Sequence, residues 1–187
     1  LHSVTAIGTS LKKAGSENMS TFTIPFPEYD IANILQKEFP KKDSFSVAIP
    51  LSRQQKFYDL LLVNGATKKS VTIQVKSSRT WPGQPKKKES FQFYSWLNYF
   101  DVKDNYSDFY FVYMTFPVMD KNFRPSAKWD RKILVFNQRE MVNILSTVKT
   151  KAGKQERFFS FAFNVDDGKI CGARGFRHLG LGTQEFS

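Results

Sequence analysis

Histidine and cysteine are almost missing from this 187-residue chain, whose whole supply is His2, His178 and Cys171. Two histidines leave a histidine-based triad or a zinc cage poorly supplied. A single thiol cannot close an internal disulfide, which fits a reducing compartment and sets the expectation of a cytoplasmic protein. No apolar run approaches the ~18 residues that a membrane-spanning helix needs, and no secretory apolar segment stands near the start, so no membrane partner is expected. Acidic residues are also in deficit, 17 against 28 Lys+Arg, giving a net charge of +11. A surplus of that size is the electrostatic footprint of a protein that meets a polyanion, most often nucleic acid; a basic surface kept for solubility is the alternative. Chemistry, where there is any, falls to carboxylates and lysine.

What the chain does have is a succession of short periodic segments. Leu1 to Thr23 is polar, small-residue-rich and aperiodic, and reads as a flexible N-terminal arm ahead of a single domain over 24–187. Ile31, Ile34, Leu35 and Phe39 recur at helical spacing between Pro27 and Pro40, predicting a first helix over Pro27 to Phe39. Three β-branched or apolar runs follow, at Ser44 to Pro50, Lys56 to Val63 and Ser70 to Ser77, separated by turn residues and predicting consecutive antiparallel strands. Phe93, Trp96, Leu97 and Phe100 fall at three- and four-residue steps, which predicts a helix within Glu89 to Phe100. Strands over Ser107 to Val118 and Arg131 to Phe136, a helix over Gln138 to Val148, the aromatic run Glu156 to Val165 and a Gly-rich C-terminal extension complete the pass. The fold class expected is α/β, a mixed central sheet flanked by helices.

The hairpin Tyr58 to Ser78 carries three polar groups that a packed strand does not need. A turn centred between Ala66 and Thr67 sets Asp59 opposite Gln74, with Cβ atoms about 4.5–5.5 Å apart. Lys76, two residues on, shares their face, while Val71, Ile73 and Val75 point the other way into a core. Magnesium wants hard oxygen donors and keeps several waters, so the Asp59 carboxylate, the Gln74 amide oxygen and a backbone carbonyl such as that of Val75 suit it. A lysine beside them can orient or deprotonate water and offset charge developing at a phosphoryl centre. The structural alternative is an Asp–Lys cross-strand pair with a neighbouring Gln on a solvated face.

The Asp59, Gln74-Val75-Lys76 pattern, entered from a helix bearing Glu28 and continued by αββ elements, resembles the PD-(D/E)xK nuclease superfamily of restriction endonucleases and Holliday junction resolvases. The resemblance spans roughly Pro27 to Val148. It implies a restriction endonuclease-like core in αβββαβ order and a metal-dependent DNA endonuclease, probed with Mg2+ or Mn2+. By that resemblance Asp59 holds the metal, Gln74 stands at the (D/E) position and Lys76 is the motif lysine. Glu28 matches the first-helix glutamate seen in part of the superfamily; it also shares the helix's inward face, and an ordinary first-turn acid is its alternative reading. Ser77 and Ser78 match the small polar pair that often follows the lysine. Tyr58 replaces the motif proline, and Gln74 replaces an acid, giving up a full charge beside a dication. A catalytically inactive nucleic-acid-binding module of the same fold is therefore the second reading.

Immediately after the lysine, Arg79, Lys86, Lys87 and Lys88 can neutralise flanking phosphates, a solvated basic loop being the alternative. Trp81 in the same segment suits either stacking on a base or packing over the core. The many phenylalanines are expected in the core. By analogy with restriction enzymes acting on palindromes, a homodimer is expected.

Overall fold

The computed structural model describes residues 26–50, 57–83, 91–103, 106–122 and 124–175. Its first element, helix α1 (Phe26–Glu38), buries Ile31, Ala32 and Leu35 on one stripe. Pro40 and a single 3-10 turn over Lys41–Asp43 turn the chain into β1 (Phe45–Ala48). Strands β2 (Leu60–Asn64) and β3 (Lys69–Pro82) follow as a hairpin. Asn64 nucleates its turn, the side-chain oxygen accepting the backbone N–H groups of Ala66 (3.1 Å) and Thr67 (2.9 Å). Asn does this readily because its short amide mimics a backbone carbonyl. Leu60 pairs with Ile73 and Asn64 with Lys69, so the turn is centred between Ala66 and Thr67 as the sequence predicts.

The next segment departs from expectation. Instead of a helix, residues 93–98 form two short strands, β4 (Phe93–Ser95) and β5 (Leu97–Asn98). Burial alternates strictly there, with Phe93, Ser95 and Leu97 inside and Trp96 and Asn98 exposed, which is strand periodicity. The inward Ser95 is stable because its hydroxyl donates to the Phe161 carbonyl (3.2 Å) and accepts the Phe161 N–H (3.1 Å). The helical spacing of the four large side chains is thus overridden by a polar residue with a distant partner.

Strand β6 (Phe109–Met119) is the centre of the molecule and pairs with the long β7 (Pro125–Asn137). Helix α2 (Gln138–Thr147) starts directly from β7 through a capping box: Asn137 accepts the Glu140 N–H (2.9 Å) and Glu140 accepts the Asn137 N–H (2.8 Å). Strands β8 (Phe158–Phe159), β9 (Phe161–Phe163) and β10 (Ile170–Gly172) close the described chain. The main sheet has eight strands: β1, β2, β3, β4, β9 and β10 in line, with β6 joining β3 to β7. Its pairings are antiparallel except β3 with β6, which run parallel over Ile73–Arg79 and Phe109–Thr115. The architecture is mixed α/β with a mostly antiparallel sheet and, among the described residues, two α-helices.

Both faces of β6 are covered. Tyr110, Val112, Met114 and Phe116 pack with α2 and with Phe159, Phe161 and Phe163. On the other face, Tyr113 packs with Ile31, Leu35, Leu60, Leu62 and Ile73 beneath α1. A fully buried phenylalanine or leucine contributes about 1.5–3 kcal/mol relative to exposure, so the aromatic-rich second half, read as core from the sequence, stabilises the domain by packing. No helix among the described residues is long and apolar enough to cross a membrane. The N-terminal arm, Lys86 to Lys88 and the tail beyond Gly175 lie outside the described residues.

Candidate functional site

The hairpin register decides what meets on β3. Asp59 stands one residue before β2, at the level of Gln74, because Leu60 is paired with Ile73. Its backbone N–H donates to the Ile73 carbonyl (2.8 Å), and its Oδ2 accepts the N–H of Val75 (2.7 Å). The side chain therefore extends the ladder one step past the point where the β2 backbone leaves it. A charge-assisted bond to a backbone N–H also fixes the carboxylate in direction.

Alternation along β3 puts Gln74, Lys76 and Ser78 on one face and Ile73, Val75 and Ser77 on the other. Ile73 and Val75 belong to the core under α1, which fixes Gln74 and Lys76 toward the β8–β9 layer. Lys76 is half-buried, and its Nζ lies 4.8 Å from the centroid of the Phe100 ring. Burial lowers the lysine's pKa from its ordinary value, and the charge of Asp59 acts in the opposite direction. Desolvation wins, because a single partner only partly replaces the hydration an ammonium loses. The Phe100 ring in turn stacks on Tyr110 at 6.0 Å, and Tyr110 is the cross-strand neighbour of Gln74. The Tyr110 hydroxyl is buried with no hydrogen-bond partner among the described residues, and burial raises its pKa.

Glu28 is buried at the first turn of α1, in the helix layer on the Ile73 and Val75 face of the sheet. Among the described residues no three His, Cys, Asp or Glu side chains form a group able to hold a metal. The candidate donors are all oxygens, from the Asp59 carboxylate, the Gln74 amide and the Val75 carbonyl, without the Glu28 carboxylate expected beside them. Hard oxygen donors of this kind suit Mg2+ or Mn2+ in chemistry.

The residues read as a nucleic-acid grip separate. Ser78 stays on the Lys76 face, its hydroxyl donating to the Trp96 carbonyl (2.8 Å) and accepting the Trp96 N–H (3.0 Å). Ser77, Arg79 and Trp81 project from the opposite face and are exposed. Lys86, Lys87 and Lys88 lie outside the described residues, within the β3–β4 connection whose ends are joined by the Gly83 N–H to Gln92 carbonyl bond (2.8 Å).

Sequence reasoning passed over three neighbours of the site. Phe100 carries the lysine on its ring. Trp96 is 40% exposed beside Ser78. Arg174, in the Gly-rich C-terminal extension, lies with its guanidinium 5.4 Å from the Trp96 ring and 3.5 Å from Glu156. Period-two alternation through Ser95 was the signal that would have turned Trp96 outward; nothing local announces Arg174. No family model matches this chain, and no curated protein matches it in sequence.

Proposed function

We propose that this protein is a metal-dependent DNA endonuclease, restriction-type, built on a variant restriction endonuclease-like core in which strands β4 and β5 stand where the αβββαβ order has its second helix. The observation that carries the reading is the placement of Asp59 level with Gln74, its carboxylate tied to Val75 N–H, on the face where Lys76 is half-buried. Asp59, Gln74 and the Val75 carbonyl are the groups that would hold Mg2+, with Mn2+ able to substitute; Glu28, expected beside them, lies in the α1 layer on the other face of the sheet. Bound there, the ion would supply Lewis-acid stabilisation of the phosphoryl oxygens.

The chain's own part is positioning and proton handling. A lysine whose pKa is lowered gives up its proton more readily than a free lysine, and as the neutral amine it would take a proton from the attacking water. The water oxygen then bonds to phosphorus, one ester P–O bond breaks, the leaving oxygen takes a proton from solvent to which Lys76 returns its own, and the products are a phosphate monoester and a hydroxyl. In the ammonium form Lys76 offsets the charge that builds on the phosphoryl oxygens. A basic chain of net charge +11 favours the polyanionic substrate. A homodimer working on a symmetric site in the cytoplasm completes the proposal.

The test is cleavage of supercoiled plasmid by the full chain with Mg2+ and with Mn2+. Nicking or linearisation that disappears in Asp59→Ala supports the reading; intact DNA under both metals, or equal cleavage by the variant, removes it. The neutral amide of Gln74 favours a second reading, a non-cleaving nucleic-acid-binding module. It is distinguished by steeply salt-dependent DNA binding without cleavage.

A further inference from the structure

The split of the β3 side chains leaves a second surface. On the α1 face, Arg79 is the cross-strand neighbour of Thr115, and Thr115 of Arg131, so two arginines stand in one row across β3, β6 and β7. With strands about 4.8 Å apart, the two Cα atoms are about 10 Å from each other. Trp81 lies two residues beyond Arg79 on β3, and Trp129, opposite Pro117, lies two residues before Arg131 on β7. Because β3 and β6 are parallel while β7 is antiparallel to β6, both indoles fall on the same side of the arginine row.

These indoles are 52% and 59% exposed. Isolated exposed apolar residues are ordinary, but here two exposed tryptophans stand beside two arginines on one sheet face. Arg131 is held in place: its Nε lies 2.7 Å from Asp30, which also accepts the Tyr113 hydroxyl (2.7 Å), and the arginine side chain remains 42% exposed. Phe26 and Tyr29 at the start of α1 are exposed as well, and Phe26 lies edge-on to Tyr113 at 6.4 Å.

We propose that this face binds single-stranded nucleic acid, with bases stacking on Trp81 and Trp129 and phosphates meeting Arg79 and Arg131. Charge complementarity selects the occupant, since the surface belongs to a chain of net charge +11 and presents guanidinium groups beside aromatic rings. Geometry selects single strands, because an exposed sheet face offers its rings to base faces that a duplex keeps stacked inside. The surface lies across the sheet from Gln74 and Lys76. The proposal therefore rests on the chain being a nucleic-acid protein and is independent of its being a nuclease.

Binding of fluorescent oligo-dT, and of a duplex of equal length, to the full chain in chelator is measured by anisotropy. Oligo-dT binding, unlike duplex binding, is expected to depend on the two tryptophans. The double variant Trp81→Ala, Trp129→Ala is expected to lose roughly tenfold or more in oligo-dT affinity with unfolding unchanged. Arg79→Ala, which leaves the Arg131–Asp30 pair intact, should weaken binding and reduce its salt slope by about one. Asp59→Ala should bind oligo-dT like the parent even if cleavage is lost, so the two proposals fail separately. Unchanged oligo-dT affinity in the double tryptophan variant, an equal loss of duplex affinity in that variant, or self-association that the tryptophan changes abolish while DNA affinity stays constant would each overturn it.

Discussion

The Asp59 carboxylate accepts the backbone N–H of Val75 at 2.7 Å, so one side chain serves as both a rung of the β2–β3 ladder and a proposed metal ligand. These two duties respond differently to substitution.

Asp59→Asn keeps an oxygen acceptor for Val75 and removes the charge, whereas Asp59→Ala leaves that amide without its acceptor. The alanine variant is expected to lose about 1–3 kcal/mol of stability, and the asparagine variant about 1 kcal/mol or less. Both should abolish metal-dependent cleavage. Urea unfolding beside plasmid assays separates the roles; an asparagine variant that still cleaves would contradict the ligand assignment.

Lys76 predicts a pH signature. Its folded-state pKa is lowered, so between that value and the ordinary lysine value of 10.5 the unfolded chain binds more protons than the folded one. Stability should therefore rise with pH across this window, the cost of the buried ammonium being present below it and relieved above it. Lys76→Met should stabilise the protein at neutral pH, flatten the rise and remove cleavage. A steeper alkaline rise in the variant than in the parent would contradict the assignment.

Gln74→Glu places a second carboxylate beside Asp59. Metal titration of cleavage should then reach half-maximum at roughly tenfold lower Mg2+, because a full charge replaces a dipole next to the dication. An unchanged midpoint would exclude Gln74 from the metal site.

Asn137→Ala removes one half of the α2 capping box. A loss of about 1 kcal/mol in thermal or urea unfolding is expected, with DNA binding unaltered, since α2 packs on the far side of β6 from the arginine row.

Two parts of the molecule were readable from the chain alone. The first is the pair of helices: α1 has its apolar stripe between prolines, and α2 follows a turn-forming Asn. The second is the β2–β3 register, because Asn64-Gly65 places the turn and hydrophobic alternation then permits only one pairing; slipping by one residue would turn Ile73 and Val75 to the wrong face. The joint level of Asp59 and Gln74, and the side taken by Lys76, followed from those local rules. The extent of β3 did not, since its polar second half is held by partners distant in sequence: Thr80 donates to the Thr115 carbonyl (2.9 Å) and Arg79 is the neighbour of Thr115.

Local periodicity determined which residues form a hairpin and which side each takes, because those choices depend on neighbours only a few positions away. Tertiary packing alone decided that Ser95 faces inward onto Phe161, that Phe100 lies beneath Lys76, and that Arg79 and Arg131 share a row. Each of these joins strands far apart in the chain, and a hydroxyl, a ring or a guanidinium carries no local mark of the partner that will satisfy it.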